Sequence, residues 1–195
     1  YMGYETISWF EDIPIKLIFE QVSKIRETSN IPIALMGYYN PILKMGVDKF
    51  VKNCVQSQVD GLILPDLPLD EAQPFCKILR KNNIIPILLV APNTSNDRIK
   101  KISKISSGLI YAVSILGVTG STYFSKEKLK SYLTRIRMNS SVPFIVGFGI
   151  STEEDVNWFN QYSDGAVIGS ALIKKLMNSK NSIKTLKLFI KNIKG

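Results

Sequence analysis

The stretch Val146-Gly147-Phe148-Gly149-Ile150-Ser151 decides the fold class, because it places two glycines directly after a short apolar run. Glycines allow the backbone to approach a ligand closely. Ser151 and Glu154 have the spacing of a capping box, which predicts that a helix opens immediately afterwards. A buried strand that ends in glycines and leads into a helix is typical of a β/α unit whose functional residues lie at the carboxyl end of the strand.

The same arrangement recurs along the chain, where short runs rich in Ile, Val and Leu alternate with amphipathic stretches. The predicted strands are Ile33–Met36, Gly61–Leu64, Ile85–Val90, Leu109–Val113, Pro143–Val146 and Ala166–Ile168. The predicted helices are Ile15–Arg26, Val47–Gln56, Glu71–Lys81, Asp97–Ile105, Lys126–Met138 and Glu153–Tyr162. Strict alternation predicts an α/β fold with a parallel sheet and right-handed crossovers.

Two architectures fit this pattern, an open doubly wound sheet and a barrel. Five of the six runs end in a cluster of Gly, Pro, Asp, Asn or Ser, and no Gly-x-Gly-x-x-Gly fingerprint follows any strand, so the barrel is favoured. A barrel of eight units needs about 250 residues, whereas this chain has six units in 195 residues. We therefore expect a (β/α)8 TIM barrel that lacks roughly its first two strand–helix units, forming a single domain over residues 1–195 that is incomplete at its N-terminus.

The first predicted helix, Ile15–Arg26, has no strand before it, which agrees with units missing at that end. Its apolar face is predicted to consist of Leu17, Ile18, Val22 and Ile25.

Histidine is absent from the sequence, which excludes several kinds of chemistry within this chain. A Ser-His-Asp or Cys-His relay, a His-ligated zinc and a histidine general base all require it. Acid–base work would fall to carboxylates, tyrosines or lysines. Cys54 and Cys76 are spaced neither as a metal site nor as a disulfide framework, so both are interpreted as buried structural thiols, and no metal site is predicted.

The formal net charge of +9 allows a nucleic-acid surface to be considered. However, no aromatic-interleaved basic stripe accompanies the lysines, and their spacing suits the solvent faces of helices, so no nucleic-acid partner is predicted. No stretch approaches the roughly 18 uninterrupted apolar residues of a membrane span, so no membrane partner is predicted either. The lysines concerned are Lys100, Lys101, Lys104, Lys126, Lys128, Lys130, Lys174, Lys175 and those of the tail.

A second candidate site is Ile168-Gly169-Ser170-Ala171, where a strand ends in Gly-Ser and leads directly into a helix. Free N–H groups at a helix N-terminus bind phosphate, and the loops after the last two strands are the usual place for phosphate in such barrels. Taken singly, this stretch and the one after Val146 could each be a plain strand–helix turn. Together, at the seventh and eighth positions of a counted barrel, they favour phosphate binding.

Further candidate residues lie after two other strands and within one strand. The segment Ser114–Ser121 is either a loop that closes over a ligand or a mobile connection. Asp66, between Pro65 and Pro68, is either an acid–base group or ordinary turn chemistry. Tyr111 lies within a strand, where its phenol either reaches the pocket or fills the barrel.

These motifs, taken in order, resemble the tryptophan synthase alpha chain family from about Ile15 onward. The runs that carry the resemblance are Pro32 to Pro41, Gly61 to Pro68, Gly117-Val-Thr-Gly120 and Gly147 to Ser151, with Gly169-Ser170 at family spacing. The resemblance implies a lyase of tryptophan biosynthesis that cleaves indole-3-glycerol phosphate to indole and glyceraldehyde 3-phosphate. It also implies an α2β2 complex with a beta chain that carries pyridoxal phosphate, and no cofactor on this chain.

The resemblance also implies a role for individual residues. The substrate phosphate would be held by Gly120, Phe148, Gly149, Gly169 and Ser170. The indole pocket would be lined by Met36, Tyr38, Ile63 and Val167. Tyr111 would lie beside the glycerol, Thr119 on the closing loop and Asp66 near that loop as a support. Pro65 and Pro68 would lie towards the beta chain.

The sequence departs from the family pattern in two ways. The catalytic glutamate and aspartate of the family would lie before Tyr1, so the resemblance implies no catalytic residue here and an inactive isolated chain. Ile115 stands where many members carry an arginine, which would loosen closure of the loop.

Other interpretations remain open at this point. Phosphoribosylanthranilate isomerase and ribulose-phosphate epimerase are sugar-phosphate barrels that would share the phosphate site, and a noncatalytic subunit would keep only the docking face. The richness in Lys, Asn and Ile suggests an AT-rich genome, and the expected location is the plastid stroma (chloroplast) or a bacterial cytoplasm.

Overall fold

The computed structural model describes residues 14–106, 108–114, 125–179 and 182–194. The described residues of Tyr1–Leu89 and Lys104–Gly108 form one compact unit, and those of Val90–Ser103, Leu109–Leu116 and Thr122–Gly195 form a second. That residues 1–195 form a single domain stays a prediction.

The first unit alternates helices with parallel strands. Its elements are α1 (Ile15–Arg26), β1 (Ala34–Met36), α2 (Tyr39–Met45), α3 (Val47–Gln56), β2 (Gly61–Ile63), α4 (Leu69–Lys81) and β3 (Ile85–Val90), with Val90 itself assigned to the second unit. Strand β2 pairs in parallel with both neighbours, since Gly61 lies opposite Ala34 on one side and Ile85 on the other. The carboxyl ends of these strands therefore lie at one edge of the sheet.

Helix α1 has the predicted bounds, but its buried face differs from the prediction. Phe19 and Val22 are buried, whereas Leu17 and Ile25 are exposed. The large aromatic ring of Phe19 determines the orientation, because it packs edge to face against Phe50 with ring centroids 5.5 Å apart. Burying this ring removes more apolar surface from water than burying either aliphatic residue.

Helix α2 was not predicted, because Tyr39-Asn40-Pro41 has the composition of a strand-end turn. Pro41 is the third residue of the helix, where an N–H has no intrahelical acceptor, so the proline costs no hydrogen bond. Gly46 then separates α2 from α3 with a φ of 90°, which favours glycine.

The two cysteines are buried and unpaired in the first unit, as predicted. Burial raises the pKa of Cys54 to about 12 and that of Cys76 to about 11. Both thiols therefore remain protonated near neutral pH and pack as small apolar groups.

The second unit repeats the alternation. Its elements are α5 (Asn96–Ser106, of which the last three residues belong to the first unit), β4 (Ile110–Val113), α6 (Lys126–Asn139), β5 (Phe144–Gly147), α7 (Glu153–Asn160), β6 (Gly165–Ala166), α8 (Ser170–Met177) and α9 (Ser182–Lys194). Strand β5 pairs in parallel with β4 and β6. The predicted helices gave no bounds for α9; its Phe189 is buried.

The capping box of α7 lies one residue later than predicted. Thr152, not Ser151, is the N-cap, and its hydroxyl accepts the Asp155 N–H at 3.1 Å. The Asp155 carboxylate in turn accepts the N–H groups of Ser151 and Thr152, both at 3.0 Å, whereas Glu154 is exposed. Partial burial alone would raise the pKa of Asp155, but these hydrogen bonds outweigh it and lower the pKa. The shorter aspartate thus satisfies two N–H groups ahead of the helix.

The structure confirms the α/β class and the parallel strands. Predicted strand bounds agree within one residue except for β6, which spans Gly165–Ala166 instead of Ala166–Ile168. The lysines predicted to lie on solvent faces of helices, from Lys100 to Lys175, are all exposed. Among the described helices, none has the length and apolar character needed to cross a membrane.

Candidate functional site

In the first unit, the carboxyl ends of β1 and β2 bring together three of the residues assigned to the indole pocket. Met36 lies opposite Ile63 in the parallel pair, and the Gly37 N–H donates to the Ile63 carbonyl at 3.1 Å. Ile63 is buried, whereas Met36 and Tyr38 are about half exposed. This strand end therefore presents an apolar, partly solvent-exposed surface on a backbone fixed by sheet hydrogen bonds.

Asp66 holds the segment that follows β1. Its two carboxylate oxygens accept the Tyr39 N–H at 2.9 and 3.0 Å, at the start of α2. The Tyr39 ring also packs edge to face on Phe75, with centroids 5.2 Å apart. This contact of Asp66 fixes the backbone next to Tyr38, and the role of Asp66 in the site stays a prediction.

Pro65 and Pro68 lie on either side of Asp66, and both are exposed. They are accessible in this unit, and their assignment to the beta-chain contact stays a prediction.

In the second unit, the phenol ring of Tyr111 packs directly against the backbone of Gly147. A Cβ added at Gly147 would lie 1.7 Å from the phenol oxygen of Tyr111, so no side chain fits there. Tyr111 is only 4% exposed, and its ring meets that of Phe148 edge to face at 5.7 Å between centroids. Burial raises the pKa of Tyr111 to about 12, so the phenol is neutral near pH 7 and cannot act as a resting general base.

The turn after β5 has an unusual backbone. Phe148 has a φ of 72° and Gly149 a φ of 76°, so two consecutive residues occupy the left-handed region. This conformation is easy for glycine and costly for a residue with a Cβ. The Ser114 hydroxyl contacts the carbonyl oxygens of Gly147, at 2.6 Å, and of Phe148. A buried side chain from the end of β4 therefore supports the turn.

Backbone N–H groups at the ends of β5 and β6 are available to a ligand. Within the part of the chain that the structure describes, the N–H groups of Gly149, Ser170 and Ala171 have no hydrogen-bond partner. Ser170 and Ala171 open α8, where the first N–H groups of a helix lack intrahelical acceptors and carry the positive end of the helix dipole. Because β5 and β6 are parallel neighbours, these groups lie at the same edge of the sheet.

The neighbouring helix start differs in its electrostatics. At α7 the Asp155 carboxylate already occupies the N–H groups of Ser151 and Thr152. The first turn of α8 contains no acidic residue, and Gly169 and Ser170 are exposed. An anion is therefore favoured at α8 and at the Gly149 turn, and disfavoured at α7.

The other predicted site residues are placed as follows. Val167 is partly buried in the second unit, and its N–H donates to the Val146 carbonyl at 2.7 Å. Thr119, Gly120 and Ile115 lie outside the described residues. Among the described residues no cluster of three or more His, Cys, Asp or Glu side chains could hold a metal ion. The absence of a metal site stays a prediction.

Ser114 and Ala171 received no role from the sequence analysis. Ser114 was noted only as the first residue of a glycine-bracketed loop, and serine at a strand end is too common to be a signal. Its significance depends on two carbonyl groups 33 and 34 residues away, which no local pattern reveals. Ala171 contributes only its backbone N–H, and the residue type carries no information about that.

The fold and the polar strand ends define a class: α/β proteins built from parallel strand–helix units, with the site at the carboxyl ends of the strands. A family profile described as tryptophan synthase alpha chain matches residues 6–194. The chain belongs to the tryptophan synthase alpha chain family, a family of lyases of tryptophan biosynthesis with the (β/α)8 barrel fold, so the predicted family and fold class are confirmed.

Individual relatives agree with this assignment. The chain is 43% identical over 186 residues to the tryptophan synthase alpha chain of Petrotoga mobilis, covering 93% of this chain and 72% of the relative. It is 43% identical over 180 residues to that of Flavobacterium psychrophilum, covering 91% and 70%. The chain thus spans about seven tenths of the length of these relatives.

The similarity extends to solved structures. A chain of the tryptophan synthase α2β2 complex from Pyrococcus furiosus matches with a TM-score of 0.84 and 33% identity. The match covers 94% of this chain and 75% of the other.

The contact between Tyr111 and Gly147 yields a testable prediction. Gly147→Ala is expected to lower the free energy of unfolding by about 2 kcal/mol or more, because the new methyl group overlaps the buried phenol. Combining it with Tyr111→Ala should cost less than the sum of the two single changes. Urea unfolding of the four variants measures both effects.

Gly165→Ala is the matched control in the adjacent strand. A Cβ at Gly165 would meet only a methyl group of Ile145 at 3.4 Å, an ordinary contact, so no loss of stability is expected. Equal losses at the two glycines, or additive effects of Gly147→Ala and Tyr111→Ala, would contradict the predicted overlap.

Proposed function

We propose that this chain provides the substrate-binding portion of a tryptophan synthase alpha chain, whose substrate is indole-3-glycerol phosphate. The observation that carries the proposal is that, among the described residues, the N–H groups of Gly149, Ser170 and Ala171 have no hydrogen-bond partner, while the first turn of α8 has no acidic residue. A phosphate dianion requires such donors, and a helix N-terminus supplies them with a favourable dipole. Family membership supports indole-3-glycerol phosphate as the phosphate ester.

The proposed reaction is a retro-aldol cleavage. The bond between C3 of the indole and C1 of the glycerol chain breaks, and its electron pair stays on C3, which takes up a proton. The C1 hydroxyl loses a proton and becomes the aldehyde of glyceraldehyde 3-phosphate. The products together have the composition of the substrate, so the reaction needs no oxidant, reductant or cofactor.

This chain contributes binding and orientation to the reaction. In the second unit, Phe148, Gly149, Gly169 and Ser170 are proposed to hold the phosphate, and Val167 is proposed to offer apolar surface to the indole. In the first unit, Met36, Tyr38 and Ile63 are proposed to offer apolar surface to the indole. Gly120 lies outside the described residues, and its phosphate role stays a prediction. Tyr111, neutral because its pKa is about 12, fills the site beside the glycerol without taking the proton. The proton transfers fall to the two carboxylates that the family pattern places before Tyr1, so this chain alone is expected to bind substrate without turning it over.

The proposed partner is a tryptophan synthase beta chain in an α2β2 complex, with pyridoxal phosphate only on that beta chain. The relative from Pyrococcus furiosus forms such a complex, and Pro65 and Pro68 are exposed here. The sources of the two relatives favour a bacterial location over a plastid one.

Ser170→Glu tests the phosphate site. A carboxylate at the first residue of α8 suits the helix dipole, so the fold should persist, but it places negative charge where the phosphate binds. The affinity for glycerol 3-phosphate, measured by calorimetry, is expected to fall at least about tenfold, or about 1.4 kcal/mol.

Ser182→Glu is the matched control, since Ser182 is the exposed first residue of α9. It should leave the affinity for glycerol 3-phosphate unchanged within about twofold. The phosphate-site proposal fails if the unchanged chain binds no glycerol 3-phosphate, or if both glutamates have the same effect.

Pro65→Glu tests the docking proposal. The added charge on an exposed turn is expected to weaken association with a tryptophan synthase beta chain about tenfold, measured by sedimentation. Affinity for glycerol 3-phosphate should persist, since the docking surface and the phosphate donors are different residues.

Pro143→Glu is the control for this variant, because Pro143 is also exposed but precedes the amino end of β5. Equal losses for both prolines would count against docking through the Pro65–Pro68 turn. A chain that associates with the beta chain but binds neither glycerol 3-phosphate nor indole would favour the noncatalytic docking subunit.

A further inference from the structure

We infer that Ser114 is a positioning residue, which sets the orientation of the Gly149 N–H for the phosphate group of the substrate. This inference rests on the proposed function and assigns to it a residue that does not itself touch the substrate. Ser114 follows the last residue of β4 and is only 5% exposed.

The Ser114 hydroxyl is additional to the pairing of the strands. The Ser114 N–H already donates to the Gly147 carbonyl at 3.0 Å and continues the parallel ladder of β4 and β5. The hydroxyl contacts the same carbonyl at 2.6 Å and the carbonyl of Phe148, one residue further along the turn. Removing the hydroxyl would therefore leave the ladder intact and release only the turn.

The contact with the Phe148 carbonyl has a consequence on the opposite side of the peptide. In a trans peptide the C=O of one residue and the N–H of the next point in opposite directions. With the Phe148 carbonyl held against Ser114, the Gly149 N–H points away from the buried serine, and Gly149 is exposed. The hydroxyl thereby fixes the direction of one of the unpaired donors.

The turn needs this support because Phe148 is not a glycine. Its φ of 72° is disfavoured for any residue with a Cβ, and without a stabilising contact the chain would relax to negative φ. Such a relaxation rotates the peptide between Phe148 and Gly149, and the Gly149 N–H would lose its direction. The edge-to-face contact of Phe148 with Tyr111 restrains the ring but not this peptide.

The test compares Ser114→Ala with Ser163→Ala. Ser163 is a buried serine of the same unit whose hydroxyl also contacts two carbonyls, those of Phe159 at 2.9 Å and Gly165 at 3.2 Å, but at the amino end of β6. Both variants are expected to lower the melting temperature. Only Ser114→Ala should weaken the binding of glycerol 3-phosphate, by about tenfold, the effect of one hydrogen bond.

Ser114→Cys supplies a second variant, which replaces the hydroxyl with a somewhat larger thiol that is a much weaker donor. It should raise the dissociation constant for glycerol 3-phosphate about fivefold, intermediate between serine and alanine. Unchanged affinity in either Ser114 variant would overturn the positioning role.

A double-mutant cycle with Phe148→Gly separates positioning from general stability. Glycine adopts a φ of 72° without strain, so in the Phe148→Gly background Ser114→Ala should cost less than about twofold in affinity. A full tenfold loss in that background would overturn the inference.

The failure of the proposed function can be told apart from the failure of the positioning role. If the unchanged chain binds no glycerol 3-phosphate, the proposed function itself is refuted. If it binds and Ser114→Ala binds equally well, only the positioning role fails.

Discussion

The contact between the Tyr111 phenol and the bare backbone of Gly147 is the constraint on which the turn after β5, the proposed phosphate site, depends. The buried ring occupies the space that any side chain at Gly147 would need. Strand β5 must therefore end in glycine, and the turn at Phe148 and Gly149 follows directly. In that turn two successive residues have left-handed backbone conformations, and the Ser114 hydroxyl supports the turn by contacting the Phe148 carbonyl. The backbone of this exposed turn thus depends on side chains that are themselves buried.

The contrast between α7 and α8 explains why one helix start of this unit suits an anion and the other does not. Both follow a parallel strand and both expose backbone donors in principle. At α7 the chain supplies its own carboxylate, Asp155, which neutralises the helix start and stabilises the turn before it. At α8 no acidic side chain replaces an external anion, and the donors of Ser170 and Ala171 remain unpaired. Stability is favoured at the first helix start and binding at the second.

Sequence patterns sufficed for features set by local chemistry. The runs rich in Ile, Val and Leu located the strands, because a strand buried on both faces must be apolar throughout. The assignment of the site to the glycine-rich strand ends stays a prediction. The predictions failed where a neighbour in space decides. Phe19 determines which face of α1 is buried, through its contact with Phe50. Asp155 replaces Glu154 in the capping box, and Ser114 acquires its role from a distant turn.

The central claim is that backbone N–H groups at the ends of β5 and β6 bind the phosphate of the substrate. Proton–nitrogen correlation spectra of the amide groups, recorded while glycerol 3-phosphate is added, test it most directly. The account predicts that the amides of Gly149, Ser170 and Ala171 shift together along one binding curve, while those of Ser151 and Thr152 shift little because Asp155 already occupies them. Shifts confined to the lysine-bearing end of α8, at Lys174 and Lys175, or no shifts at all, would contradict it.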